Sequence, residues 1–239
     1  MLANGRRIGA HLPLGEGMVK AADRAAEIGA SAIQVFTDNP TAWRRRPTLP
    51  GELPAFRERL AAHDVTPVSI HAPYLVNLAG PEPAFHAQSI VVLAHELRVA
   101  RAYGAAFVNV HIGSHRGDGT EAGIERLATG LGAVFAHADA EREVASQAEN
   151  RAENGPENQA ENRTDAPTPI LVLENGSGGG FGLGSTIEQL ARIEAALVAA
   201  GIPKDRFGYC LDTAHLWGAG YPIDTAAGVD AVIGAFDAA

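Results

Sequence analysis

The sequence has a single cysteine, Cys210, inside an apolar run. One thiol excludes an intramolecular disulfide framework and suits a reducing compartment. A small buried core residue is its expected role. Long hydrophobic runs are also missing. No stretch approaches the roughly 20 continuous apolar residues needed to cross a bilayer, and the opening MLANGRRIGAHL lacks the apolar segment of a signal peptide. The expectation is a cytoplasmic protein with no membrane partner. Positive charge is the third shortage: 19 Lys and Arg face 28 Asp and Glu, a formal net charge of −9. That balance argues against a nucleic-acid binder until its distribution is read. Asp139 to Asp165 holds eight acids against three arginines, a net of −5, which leaves −4 for the rest. The remainder is only mildly acidic, and bound divalent metals would add positive charge that side-chain counting misses. An anionic substrate therefore stays open.

The chain has 239 residues, 46% of them hydrophobic. That is enough for one sizeable core, and the length falls where an α/β barrel still counts as a single domain. One segment stands apart. SQAENRAENGPENQAENRTDAPTP, residues 146–169, repeats a short Ala/Glu/Asn unit and offers almost nothing to bury, so it is expected to be a flexible low-complexity insertion.

With that insertion set aside, a rhythm emerges. Short apolar runs recur at RIGAHL, AIQVFT, VSIHA, FVNVH, ILVLEN and FGYCLD, each followed by a stretch with helical spacing such as MVKAADRAAEIGA or TIEQLARIEAALVAAG. Several of these stretches end at a glycine, Gly29, Gly104 or Gly201, as helix C-termini often do. Strand then helix, repeated, means parallel strands with right-handed helical crossovers, either an open doubly wound sheet or a (β/α)8 barrel. Six units are visible. A complete barrel takes about 250 residues, so two units are expected to be absent.

Four successive runs end at or just before a residue that can ligate a metal. VSI leads into His71, FVNV into His111, ILVL into Glu174, and FGYCL into Asp212 with His215 just beyond. In parallel α/β folds the C-terminal strand ends converge on one face, where sites are built. Each residue also has an ordinary reading, since a histidine after a strand is often just hydrogen-bonded and Asp212 could cap the following helix. The coincidence across four strands favours a site. Mixed imidazole and carboxylate donors without a thiolate cluster suit zinc, with manganese or iron as alternatives. His115, four residues after His111, is expected to support the site or face substrate rather than to ligate. GSGGGFGLG, Gly176 to Gly184, lacks the spacing of a nucleotide-binding loop, and a turn that lets backbone approach a ligand is the expected use.

On these residues the sequence resembles the endonuclease IV family of abasic-site endonucleases, which are xylose-isomerase-like barrels. The motifs that carry the resemblance are IGAH ending at His11, AIQVFTDNPTAW ending at Trp43, HAPYLVNLAGP, NVHIGSH, LENGSGGG and CLDTAHLWGAGY. It implies a TIM (β/α)8-type barrel with about six of eight βα units in one partial domain spanning residues 1–239. The implied activity is hydrolysis of the phosphodiester 5′ to abasic sites in double-stranded DNA, in base excision repair, with up to three zinc ions and a monomeric enzyme. His71 and His111 match ligands of the first zinc, Glu174 matches the carboxylate bridging two zincs and is the catalytic candidate, and Asp212 and His215 match ligands of the second and third. Tyr74 and Leu75 match side chains inserted into DNA, a pairing physically suited to unstacking a base step. Arg44, opening the run Arg44 to Arg46, is a candidate phosphate contact, although such a run also suits a plain solvated face. His11 and His115 are expected around the ligands rather than among them.

The sequence departs from the family pattern in three places. Pro40, Thr41 and Ala42 precede Trp43 where the family commonly carries an inserting Arg and a Gln, and Ala214 stands where Cys usually precedes the histidine. The chain also ends at Ala239, ahead of the strands that carry the family's remaining ligands. The expectation from this is a partial sequence of reduced nuclease activity. A sugar isomerase or epimerase on the same barrel, or a non-catalytic remnant, are the alternatives.

Overall fold

A computed structural model describes residues 4–152 and 168–239. Six strands form one all-parallel sheet in sequential order: β1 (Gly9–His11), β2 (Ala32–Val35), β3 (Val68–His71), β4 (Ala105–His111), β5 (Ile170–Glu174) and β6 (Phe207–Cys210). Between them run α1 (Met18–Glu27), α2 (Leu53–Ala62), α3 (Pro83–Tyr103), α4 (Thr120–Ala152) and α5 (Ile187–Ala199), and after β6 come α6 (Thr213–Gly218) and α7 (Ala226–Ala238). The six expected βα units are all present. Two helices follow β6 where one was expected, because the turn at Tyr221 to Asp224 separates the short α6 from α7. Of the stretch 146–169 read as an insertion, 153–167 lie outside the described residues, and the backbone of 146–152 continues α4. Among the described residues β1 pairs only with β2 and β6 only with β5, and no helix is long and apolar enough to cross a membrane.

The helix ends follow the sequence signals. Gly29, Gly104 and Gly201 follow α1, α3 and α5 with φ of 75°, 67° and 80°, the left-handed conformation that closes a helix C-terminus without a Cβ penalty. After α2 the same conformation falls on Asp64, with φ of 52°, and its carboxylate pairs with Arg7 at 3.0 Å. Thr186 and Thr225 cap α5 and α7 by accepting the backbone N–H of Gln189 and Gly228, as expected for N-cap hydroxyls.

Strand residues of one parity point at the helices and form the core: Ile33 and Val35, Val68 and Ile70, Val108 and Val110, Leu171 and Leu173 are all buried. They pack in one cluster with Phe56, Leu60, Leu93, Leu97, Leu131, Val134, Ile193 and Leu197 from α2 to α5. The other parity lines the inner face. Side chains alternate with period two, and a parallel register keeps paired residues on the same face. The pairings His11 with Gln34, Gln34 with Ser69, His71 with Asn109, and His111 with Glu174 therefore stack polar groups in layers rising toward the C-terminal strand ends.

Leu131 on α4 is fully buried in this cluster. Leu131→Ala should cost about 3 kcal/mol of stability through lost burial and the cavity left behind, read as a lower urea midpoint with an unchanged slope. A loss below about 1 kcal/mol would mean that α4 does not seal this core.

Candidate metal centre

The register of β4 and β5 puts His111 directly beside Glu174, and β3 brings His71 to the level of Asn109. Donor atoms of His71, His111 and Glu174 lie within 4.8 Å of one another, and so do those of Glu174, Asp212 and His215. Glu174 belongs to both groups, so the two sets share a carboxylate. His71 Nε2 is 3.6 Å from Glu174 Oε2, and His111 Nε2 is 3.5 Å from Glu174 Oε1. These separations are long for hydrogen bonds. They match the roughly 3.4 Å edge of a tetrahedron whose corners sit about 2.0–2.1 Å from a central zinc-sized ion.

The His71 tautomer agrees with that use. His71 Nδ1 lies 2.6 Å from the Ala72 carbonyl oxygen and His215 Nδ1 lies 2.8 Å from the Asn175 carbonyl oxygen. A carbonyl only accepts, so each Nδ1 carries the proton; in His71 this leaves the Nε2 lone pair toward Glu174, whereas in His215 the nitrogen 3.4 Å from Glu174 Oε1 is Nδ1 itself, and its free Nε2 points elsewhere. Burial alone would push the Glu174 carboxyl up, but the His111 and His71 rings and the Asn109 amide outweigh it and hold the carboxyl well below the usual carboxylate range. Glu174 is thus an anion at neutral pH although only 6% exposed. Burial, then the nearby charges of Glu174 and Asp212, push the Cys210 thiol up to about 11.

Asp212 has two tasks. Its Oδ1 accepts the backbone N–H of His215 at 2.8 Å and caps α6, so the capping reading is correct and still leaves Oδ2. The same cap fixes His215 one turn into the helix. Asn175 Oδ1 in turn accepts the Asp212 N–H at 2.6 Å, which ties the β5 and β6 ends together.

Two buried asparagines were not among the sequence candidates. Asn109 Nδ2 donates to Glu174 Oε2 at 2.5 Å, leaving Oε1 facing His111 and His215. Asn109 Oδ1 and Asn175 Nδ2 are buried with no hydrogen-bond partner among the described residues, unusual for interior amides. Parity would have found Asn109, two residues before His111 on the same face. Asn175 gave no signal beyond following Glu174.

The remaining candidates lie around this cluster. Tyr74 is exposed, and its ring stacks on His111 at 5.9 Å and meets His71 edge-on at 5.5 Å. Leu75 is half-buried and Arg44 exposed. The His11 ring stacks 5.9 Å from His71 and its Nδ1 meets the Gln34 amide at 3.2 Å; burial, then His71, lowers its pKa. His115 belongs to neither donor group. Its Nδ1 accepts the N–H groups of Gly117 and Gly119, which organises the β4–α4 loop. The glycine-rich loop packs tightly at one end. A Cβ at Gly176 would sit 2.5 Å from the Leu183 carbonyl oxygen, while Gly179 and Gly180 have open space around them, and the N–H groups of Leu183 and His115 donate to the carbonyls of Gly113 and Phe181, so Gly176 lets the loop close on itself and these bonds join it to its neighbour.

If Asn109 aims the Glu174 carboxylate, Asn109→Ala should lower affinity for a divalent cation about 10–100-fold without unfolding the chain, measured by competition with a chromophoric chelator. Unchanged affinity would remove Asn109 from the site.

Comparison with known proteins identifies the family. The family model of xylose isomerase-like TIM barrels matches residues 22–239. The probable endonuclease 4 of Halorhodospira halophila is 38% identical over 230 residues, which are 96% of this chain and 68% of that protein. The crystal structure of endonuclease IV from Thermus thermophilus aligns with a TM-score of 0.72 at 30% identity, over 98% of this chain and 72% of that one. An L-ribulose 3-epimerase structure aligns with a TM-score of 0.59 at 17% identity, a likeness of fold alone. By both sequence and structure, the chain belongs to the endonuclease IV family of xylose isomerase-like TIM barrels.

Proposed function

We propose that this chain is a zinc-dependent endonuclease that hydrolyses the phosphodiester 5′ to abasic sites in double-stranded DNA. The observation that carries the reading is the shared Glu174 carboxylate, with His71 and His111 on one side and Asp212 and His215 on the other. Imidazole and carboxylate donors without thiolate suit zinc. His71, His111 and Glu174 would hold one ion, and Glu174, Asp212 and His215 would contribute to further ones. When bound, such ions supply Lewis acidity that activates water and stabilises charge developing on a phosphate.

The chain's own residues contribute placement and charge. Glu174 brings a negative charge that needs no proton loss at neutral pH, and the Asn109 amide holds its orientation. The two Nδ1–H groups bonded to backbone carbonyls keep His71 and His215 from rotating. Tyr74 stands exposed beside the cluster with Leu75 next to it, where an aromatic and an aliphatic side chain could wedge into a base step and present the lesion to the site. Exposed Arg44 adds a positive charge for backbone phosphate.

Incubation of the zinc-loaded chain with a labelled duplex bearing one tetrahydrofuran lesion should nick the strand on the 5′ side of the lesion and leave the undamaged duplex intact. Removing the metal with a chelator should abolish the nick and zinc should restore it. Tyr74→Ala should raise KM for the lesion duplex with a smaller effect on kcat, since base-step unstacking is worth a few kcal/mol. A chain that binds zinc through these residues yet leaves the lesion strand whole contradicts the proposal.

A further inference from the structure

The run Arg44 to Arg46 is not a uniform charged face. Arg44 and Arg46 are exposed, whereas the Arg45 side chain is only 8% exposed and faces inward to Glu96, whose side chain is fully buried in the middle of α3. Glu96 Oε1 accepts from Arg45 Nη1 at 3.4 Å, and Glu96 Oε2 accepts the Thr37 hydroxyl at 2.6 Å. Arg45 Nη2 donates to the backbone carbonyls of Asn39, at 2.8 Å, and Ala42. One guanidinium therefore fills the inside of the β2–α2 loop, and one carboxylate from α3 holds both its cation and the loop's first hydroxyl.

A buried acid among apolar residues is costly unless its charge is matched and its oxygens are bonded. Among the described residues both conditions are met by a single loop. Burial raises the Glu96 carboxyl, and Thr37 and Arg45 work against that shift. The loop passes its order onward, because the carbonyl of Pro40 accepts the backbone N–H of Tyr74 at 3.1 Å. Trp43 packs partly against the main core, with its ring 6.0 Å from Phe85.

We infer that Glu96 is a positioning residue for DNA: through Arg45 it locks the β2–α2 loop, and with it exposed Arg44 and the backbone of Tyr74, into the shape that grips the duplex. This rests on the nuclease reading above. The node adds no group to the metal cluster, so its loss acts on DNA binding and leaves metal binding alone. It also divides the arginine run by role, with Arg45 as an internal staple and Arg44 as the candidate that meets phosphate.

The test uses the full zinc-loaded chain in a Trp217→Phe background, where Trp43 is the only tryptophan and reports on the loop. Glu96→Gln keeps an acceptor for Thr37 and removes the charge that holds Arg45. Because a stranded arginine could unfold the chain, Glu96→Gln with Arg45→Met removes both charges together, a change buried pairs often tolerate. The expected result for either variant is unchanged zinc content, greater quenching of Trp43 by acrylamide, and a KM for the lesion duplex raised on the order of tenfold with kcat within about twofold. A folded variant whose Trp43 stays protected, or whose Trp43 is freed while KM is unchanged, overturns the positioning role and leaves the nuclease reading intact. A parent chain that neither binds nor nicks the lesion duplex overturns both.

Discussion

Glu174 is buried and still charged, a combination that a protein interior tolerates only where neighbours compensate the carboxylate. Two imidazoles and an asparagine amide do so here. They reach it because β3, β4 and β5 are parallel and in register, so residues of one parity meet on the inner face while Ile70, Val108 and Leu173 fill the core behind them. The apolar packing and the polar cluster are thus two sides of the same sheet. A one-residue slip of β5 would exchange them, burying Glu174 among leucines and turning Leu173 toward the histidines.

Successive loops at the C-terminal strand ends are joined by hydrogen-bonded ties. The Pro40 carbonyl receives the Tyr74 N–H, the Asn77 side chain bonds both the N–H and the carbonyl of Ser114, Ser114 bridges to Gly182, and Asn175 holds Asp212 and His215. Each tie links one βα loop to the next, so the rim is a continuous chain of hydrogen bonds from the β2 side to α6. Such a rim limits how far any one donor can drift from the geometry a metal demands. Glycine is required where the ties are tightest. Gly113, at φ of 100° beside the Asn77 side chain, has neither the conformation nor the space for a Cβ.

Strand positions and helix ends were legible because they depend on local pattern: period-two burial, helical spacing and terminal glycines. The residues ending the strands were legible for the same reason, since His71, His111 and Glu174 interrupt apolar runs. What escaped depended on partners distant in sequence. Nothing local to Arg45 distinguishes it from Arg44 and Arg46; its inward turn is decided by Glu96, on a different helix. Asn109 reads as an ordinary strand residue until β5 supplies its carboxylate. Asp212 read as either a cap or a ligand because a carboxylate has two oxygens, and the structure assigns only one of them to the cap. The second helix after β6 was hidden by the small and glycine residues around Gly218 and Gly220.

Imidazole and carboxylate groups from the ends of β3 to β6 converge on one cluster of donor atoms. Zinc K-edge absorption spectroscopy on the zinc-loaded chain measures this most directly. The expected spectrum has a shell of nitrogen and oxygen at about 2.0–2.1 Å with the multiple scattering of imidazole rings and no sulfur. A sulfur shell at about 2.3 Å, or a shell without imidazole, would contradict it.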